Sequence, residues 1–231
     1  MMQTLLSITC ATKRPSGLQV KAEAMLDVFL VNWRMGAPFA GTSHSCTTAA
    51  SSFIRKAIRE PSGELRSQWR FDSLIHGDMK WDNCVTYFEN GNDKDPSVKI
   101  VDWELADIGD ARWDVGAILQ SYLSFWLLSI PANAEATAMQ LVEMAQFPLE
   151  KMQPAIRVFW QTYLETHKVD SADAAELLES CVKYAAARMI QTAYEYMQYS
   201  SQISANALYL LQVSLNTLKD PKEAIRDLLA L

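Results

Sequence analysis

The chain has 231 residues, 49% of them hydrophobic and 10% aromatic, enough apolar material to bury a substantial core in one or at most two domains. Lys and Arg number 21 against 27 Asp and Glu, a formal net charge of −6, and the basic residues are scattered, so no nucleic-acid footprint is indicated. Cys10, Cys46, Cys84 and Cys181 form no C-x-x-C pair, which suggests neither a zinc site nor a disulfide framework and reads as free thiols in a reducing, cytoplasmic setting.

The apolar start of the chain has no basic residues ahead of it, since Lys13 and Arg14 follow it, and a signal peptide is not expected. After a loop marked by Pro15 and Gly17, Ala22, Met25, Leu26, Phe29 and Trp33 recur at helical spacing and predict a helix over 18–34. A Gly-, Pro-, Ser- and Thr-rich loop over 36–48 leads to a second predicted helix over 49–58. His44 and Cys46 in that loop make at most half a metal site.

From Ser73 to Ile100 the periodicity changes. LIHGD, NCVTYF and VKIVDW are rich in β-type residues, and the last two flank the polar run ENGNDKDPS with its Asn-Gly and Asp-Pro turn signals. A β-hairpin with an expanded loop is expected there.

After Asp110 helix is predicted to the end of the chain. One core stripe runs through Val115, Ile118, Leu119, Tyr122 and Trp126, and the run from Val115 to Ile130 is too polar for a membrane span and reads as a buried helix. A second stripe holds Ile156, Phe159, Trp160, Tyr163 and Leu164, and a third runs from Val182 through Ala185, Ala186, Met189, Ile190 and Ala193 to Met197. Asp170 or Ser171 is expected to cap the third helix and Pro221 to open a short final one. The methionines at 139, 144, 152, 189 and 197 read as core filler, and the tyrosines from Tyr184 to Tyr199 as packing, one face of that helix being able to line an acceptor groove.

Asp78 and Asn83 stand at opposite ends of one short loop in HGDMKWDN, and Asp102 follows in IVDWE beyond the expected hairpin. Phosphoryl transfer calls for such a set: one carboxylate to orient and accept the proton of an attacking hydroxyl, and an amide with a second carboxylate to hold Mg²⁺ against a triphosphate. Lys80, two residues after Asp78, can reach a transferring phosphoryl group as a point charge. Glu104, Asp107 and Asp110 beside the second carboxylate suit a cationic acceptor, and a solvated acidic turn explains them equally well.

HGDMKWDN (76–83), IVDWE (100–104) and GDARWDVG (109–116), in that order, are similar to the motifs of the aminoglycoside phosphotransferases, the choline kinases and related small-molecule or peptide kinases. The resemblance is tight over the motifs and loose over the helical half that follows. It implies the C-terminal lobe of a protein kinase-like fold, mostly α with a small β-hairpin, with Asp78 as catalytic base, Asn83 and Asp102 as Mg²⁺ ligands for bound ATP, and His76 and Asp114 as braces of the loop. The Lys and Trp inside HGDMKWDN also resemble the kinase-like proteins of some lanthipeptide pathways, which phosphorylate a precursor peptide.

On that reading the whole of 1–231 is one kinase-like lobe, with leading helices over 1–70, catalytic and metal-binding motifs over 71–116 and a helical bundle over 117–231. The family's nucleotide-clamping N-lobe has no visible counterpart: no two glycines are separated by a single residue, so the G-x-G loop is missing, and Lys13 and Lys21 lack β-strand surroundings. Three expectations stay open. The chain is a fragment, or another protein supplies the lobe, or the protein is a non-catalytic binding or scaffold module in a biosynthetic complex. A hydrolase using His76 and Asp78 ranks behind these, because no nucleophile elbow or metal cluster accompanies them. The expected partners are a small-molecule or peptide hydroxyl acceptor and a lobe-supplying protein, with neither nucleic acid nor membrane.

Overall fold

A computed structural model describes residues 65, 67–88, 96–131, 135–198 and 204–231. The predicted helices over 18–34 and 49–58, the His44 and Cys46 pair, and the expectation about a nucleotide-clamping N-lobe fall outside the described residues.

The described chain is mostly helical with two small antiparallel sheets. The expected hairpin is present as β2 (Cys84–Phe88) and β3 (Pro96–Ile100), with Cys84 opposite Ile100 and Phe88 opposite Pro96. A second pair was not foreseen: β1 (Ser73–Ile75) runs antiparallel to β4 (Asp107–Gly109), with Leu74 opposite Ile108. This pair closes the loop between the first and last motifs and delivers the chain directly into the first helix.

Helix α1 (Ala111–Leu128) starts where the Asp110 carboxylate accepts the Arg112 backbone N–H, satisfying one of the donors a helix start leaves free. Of its expected stripe Val115, Leu119, Tyr122 and Trp126 are buried and Ile118 is partly buried against the core, which Leu123 and Leu127 of the same helix also join. Among the described residues no helix is long and apolar enough to cross a membrane. A capping box between Thr137 and Gln140 opens the short helix α2 (Ala138–Glu143), followed by α3 (Leu149–His167), which the left-handed Lys168 terminates.

Helix α4 (Ser171–Gln198) carries the third stripe, with Asp170 at its head accepting the Ala174 N–H through its carbonyl. Then come α5 (Ala205–Lys219) and α6 (Pro221–Ala224), the latter opened by Pro221 under an Asp220 cap and continued by a π turn over Ile225–Leu229. The core lies where α1, α4 and α5 meet. Helices α1 and α4 approach closely at Gly116, where a Cβ would stand 2.7 Å from the Cys181 carbonyl oxygen and 2.8 Å from Tyr184 Cβ. The close approach matters because α4 carries a group that reaches back to the motif loop.

The methionine expectation needs correction. Met189 is fully buried, but Met139 and Met144 are about half exposed, because the one turn and a half of α2 turns Ala138, Leu141 and Val142 inward and leaves the flanking positions to solvent. Tyr184 is buried as expected and Tyr196 is exposed.

Candidate active site

The site forms where β1 ends. Two backbone N–H groups at the head of the loop, those of His76 and Gly77, both donate to the Asp114 carboxylate in the first turn of α1, at 2.6 and 3.1 Å. Trp113 donates its indole N–H to the Gly77 carbonyl at 2.9 Å. Gly77 has φ of +81°, and a Cβ there would lie 2.6 Å from the Leu105 carbonyl oxygen, so glycine is required on both conformational and steric grounds.

His76 is buried to 2% exposure, with its ring against Trp103 at a centroid separation of 4.8 Å. The backbone N–H of Asp78 points at Nδ1 (3.3 Å), and since that N–H can only donate, Nδ1 accepts and Nε2 carries the proton donated to the Val101 carbonyl at 2.8 Å. His76 therefore ties the loop to the end of β3. Both ring nitrogens are engaged with backbone.

Trp81 anchors the far side of the loop by packing against Tyr122 and Phe125 of α1. The turn Trp81–Asn83 follows, and buried Asn83 donates from Nδ2 to the Asp78 carbonyl at 2.9 Å. That bond leaves the amide oxygen of Asn83 as its remaining donor atom toward a cation. The Asn83 carbonyl accepts the Val101 N–H at 3.0 Å, extending the β2–β3 ladder by one step and bringing Asp102 beside the end of the loop.

Asp102 is exposed and has φ of 68° and ψ of 54°, a left-handed conformation uncommon for a residue other than glycine. Such an outlier persists when its surroundings fix it. Here Val101 is held by both Asn83 and His76, and the Trp103 indole N–H by the Ile100 carbonyl at 2.9 Å.

Asp78 sits at the loop tip between two cations. Lys80 Nζ is 2.6 Å from Oδ2 and Arg188 Nη2 is 3.0 Å from Oδ1. Partial burial works to raise the Asp78 carboxyl, but the hydrogen bonds and charges of Lys80 and Arg188 outweigh it and hold the group below its ordinary range. The hydrogen bond to Asp78 pushes Lys80 up against the opposing effect of burial.

The structure thus brings Asp78, Lys80, Asn83 and Asp102 to one end of the β2–β3 hairpin, with His76 and Asp114 behind the loop. Asp110 departs from the acidic-turn expectation. It is 1% exposed, its carboxylate forked by the Arg112 guanidinium and also receiving the Arg70 backbone N–H and the Tyr184 hydroxyl, so it is closed to any acceptor. Glu104 and Asp107 remain exposed.

Sequence reasoning missed Arg188, Trp113 and Trp103. Arg188 had a legible signal, a single cation on the inward face of a helix otherwise lined by Ala185, Ala186 and Met189, where a buried charge demands an anionic partner. Among the described residues no group of three or more His, Cys, Asp or Glu side chains gathers as a metal cage. No protein-family model matches the chain, and comparison with curated proteins gives no match.

Proposed function

We propose that the chain is a phosphotransferase lobe of the aminoglycoside phosphotransferase and choline kinase type, transferring the γ-phosphoryl of ATP to a hydroxyl of a small molecule or peptide. The observation that carries this reading is the loop from His76 to Asn83. Its backbone is fixed from behind by Asp114 and Trp113, and the Asp78 carboxylate stands at the tip with its carbonyl locked by Asn83.

In this role Asp78 accepts the proton of the attacking hydroxyl and orients its oxygen. Lys80, two residues along, places a mobile cation within reach of the transferring group. Asn83 and Asp102 would hold Mg²⁺. They fit it, because this ion takes one or two protein oxygens and completes its shell with waters and substrate phosphates instead of an all-protein cage. When bound it neutralises charge on the triphosphate. Asn83 offers its amide oxygen, and Asp102 presents an exposed carboxylate from a backbone conformation that costs energy to hold.

The test is calorimetry with Mg-ATP on the full chain, together with an assay for ADP formation. Wild type is expected to bind Mg-ATP, with affinity falling about 10-fold or more in Asp102→Asn, and Asp78→Asn is expected to bind but not turn over. Failure of the wild type to bind Mg-ATP would sink the reading.

A second reading, a non-catalytic binding or scaffold module, draws support from the pairing of both Asp78 oxygens with cations, which leaves no free basic atom at rest. Metal-dependent ATP binding followed by turnover separates the two. The acceptor and any protein that supplies a nucleotide-clamping lobe belong to the same proposal.

A further inference from the structure

The two cations on Asp78 are held very differently. Arg188 is 7% exposed at its side chain, lies over the Trp113 ring at 5.2 Å, and donates Nη1 to Gln191 Oε1 at 2.9 Å while Nη2 holds Asp78 Oδ1. Lys80 is 42% exposed at its side chain, and among the described residues its ammonium makes one hydrogen bond, to Oδ2, with Asp82 and Glu195 close enough to act on its charge. One is clamped on three sides; the other swings from a flexible stem.

Arg188 is also an expensive way to fill this position. Among the described residues its buried Nε has no hydrogen-bond partner, a cost that an apolar residue on the same helix face would not carry. Packing alone does not account for it. Its bond to Asp78 does.

We infer that Arg188 is the residue that positions Asp78 for proton transfer, holding Oδ1 throughout, and that Oδ2 is the oxygen that takes the acceptor's proton once Lys80 has left it for the phosphoryl group. This rests on the phosphotransferase reading. The acceptor hydroxyl oxygen forms its bond to the γ-phosphorus of ATP and its proton passes to Asp78 Oδ2. The bond from the γ-phosphorus to the bridging oxygen breaks, and its electron pair leaves with ADP. Lys80 acts as a latch that the substrate itself opens, and Arg188 keeps the freed carboxylate from rotating away.

The experiment compares wild type, Arg188→Gln, Arg188→Lys and Lys80→Gln as full-length chains, reading ADP formation from Mg-ATP with water as acceptor, Mg-ATP affinity by calorimetry, and thermal stability. Arg188→Gln is expected to lower kcat by about 10- to 100-fold with ATP affinity and KM within about 2-fold of wild type, the signature of a misplaced base. Arg188→Lys, which retains the charge and serves if the Gln variant fails to fold, is expected to recover part of that loss. Lys80→Gln is expected to raise KM for ATP as well as lower kcat. Wild-type turnover with an undiminished kcat in Arg188→Gln, or in Arg188→Lys if only that variant folds, overturns the role of Arg188 alone. A wild type that neither binds nor turns over Mg-ATP overturns the phosphotransferase reading and this inference with it.

Discussion

Asp114 and His76 are joined side chain to backbone, Oδ2 of the one receiving the amide of the other at 2.6 Å, and the adjacent Gly77 amide fills Oδ1 at 3.1 Å. The first turn of α1 thus sets the path of the chain into Asp78. An Asn at 114 keeps one acceptor but turns an NH₂ toward a backbone N–H. Asp114→Asn is expected to lose about 1–3 kcal/mol of stability in urea unfolding. Amide exchange at His76 and Gly77 should quicken along with it, and unchanged exchange at both would contradict the bracing role.

Gly77→Ala meets two penalties, a left-handed φ and a carbonyl oxygen 2.6 Å from the new methyl. The expected loss is about 1–3 kcal/mol, or roughly 2–4 °C in Tm for each kcal/mol in a chain of this size. A melting curve identical to wild type would show that the loop can relax around the methyl.

Acid stability should depend on Asp110. Burial works to raise its carboxyl, but the hydrogen bonds and charge of Arg112 prevail and hold it below the ordinary range. A depressed folded value means that the stabilisation is complete above the unfolded carboxylate's value of about 3.9 and is lost as pH falls through the folded one. Asp110→Asn is therefore expected to be less stable than wild type at pH 7 and to show a shallower decline below about pH 4. Parallel acid limbs for the two proteins would refute the assignment.

Cys181 is fully buried between α1 and α4, and burial pushes its thiol up to about 12. It is expected to resist iodoacetamide at pH 8 until the protein unfolds, whereas half-buried Cys84 reacts from the native state. Peptide mapping of the alkylated positions checks this. Labelling of Cys181 at the rate of Cys84 would mean that the α1–α4 contact opens freely.

The motif loop was legible because its chemistry is local: Asp78 and Asn83 are bonded across five positions, and the β2–β3 hairpin that brings Asp102 beside them is written in two β-rich runs around a turn. The core stripes of α1, α3 and α4 were legible from helical spacing. What escaped is non-local. Asp107–Gly109 is a strand only because β1 lies beside it, since three residues carry too little pattern to announce themselves. Asp110 looked like a solvated acid because its neutralisation depends on how Arg112, Arg70 and Tyr184 converge around it in space.

The bond from Arg188 to Asp78 spans 110 positions of the chain. Closing a loop of that length carries an entropic cost that grows with the logarithm of its length, and the cost is met only when α4 has docked on α1 through the Gly116 contact. The loop from His76 to Asn83 can take its local shape early, but its carboxylate gains its fixed partner late. During synthesis the ribosome must pass Arg188 before Asp78 gains its buried partner, so until then a nascent chain has the swinging Lys80 alone to pair the carboxylate of its site.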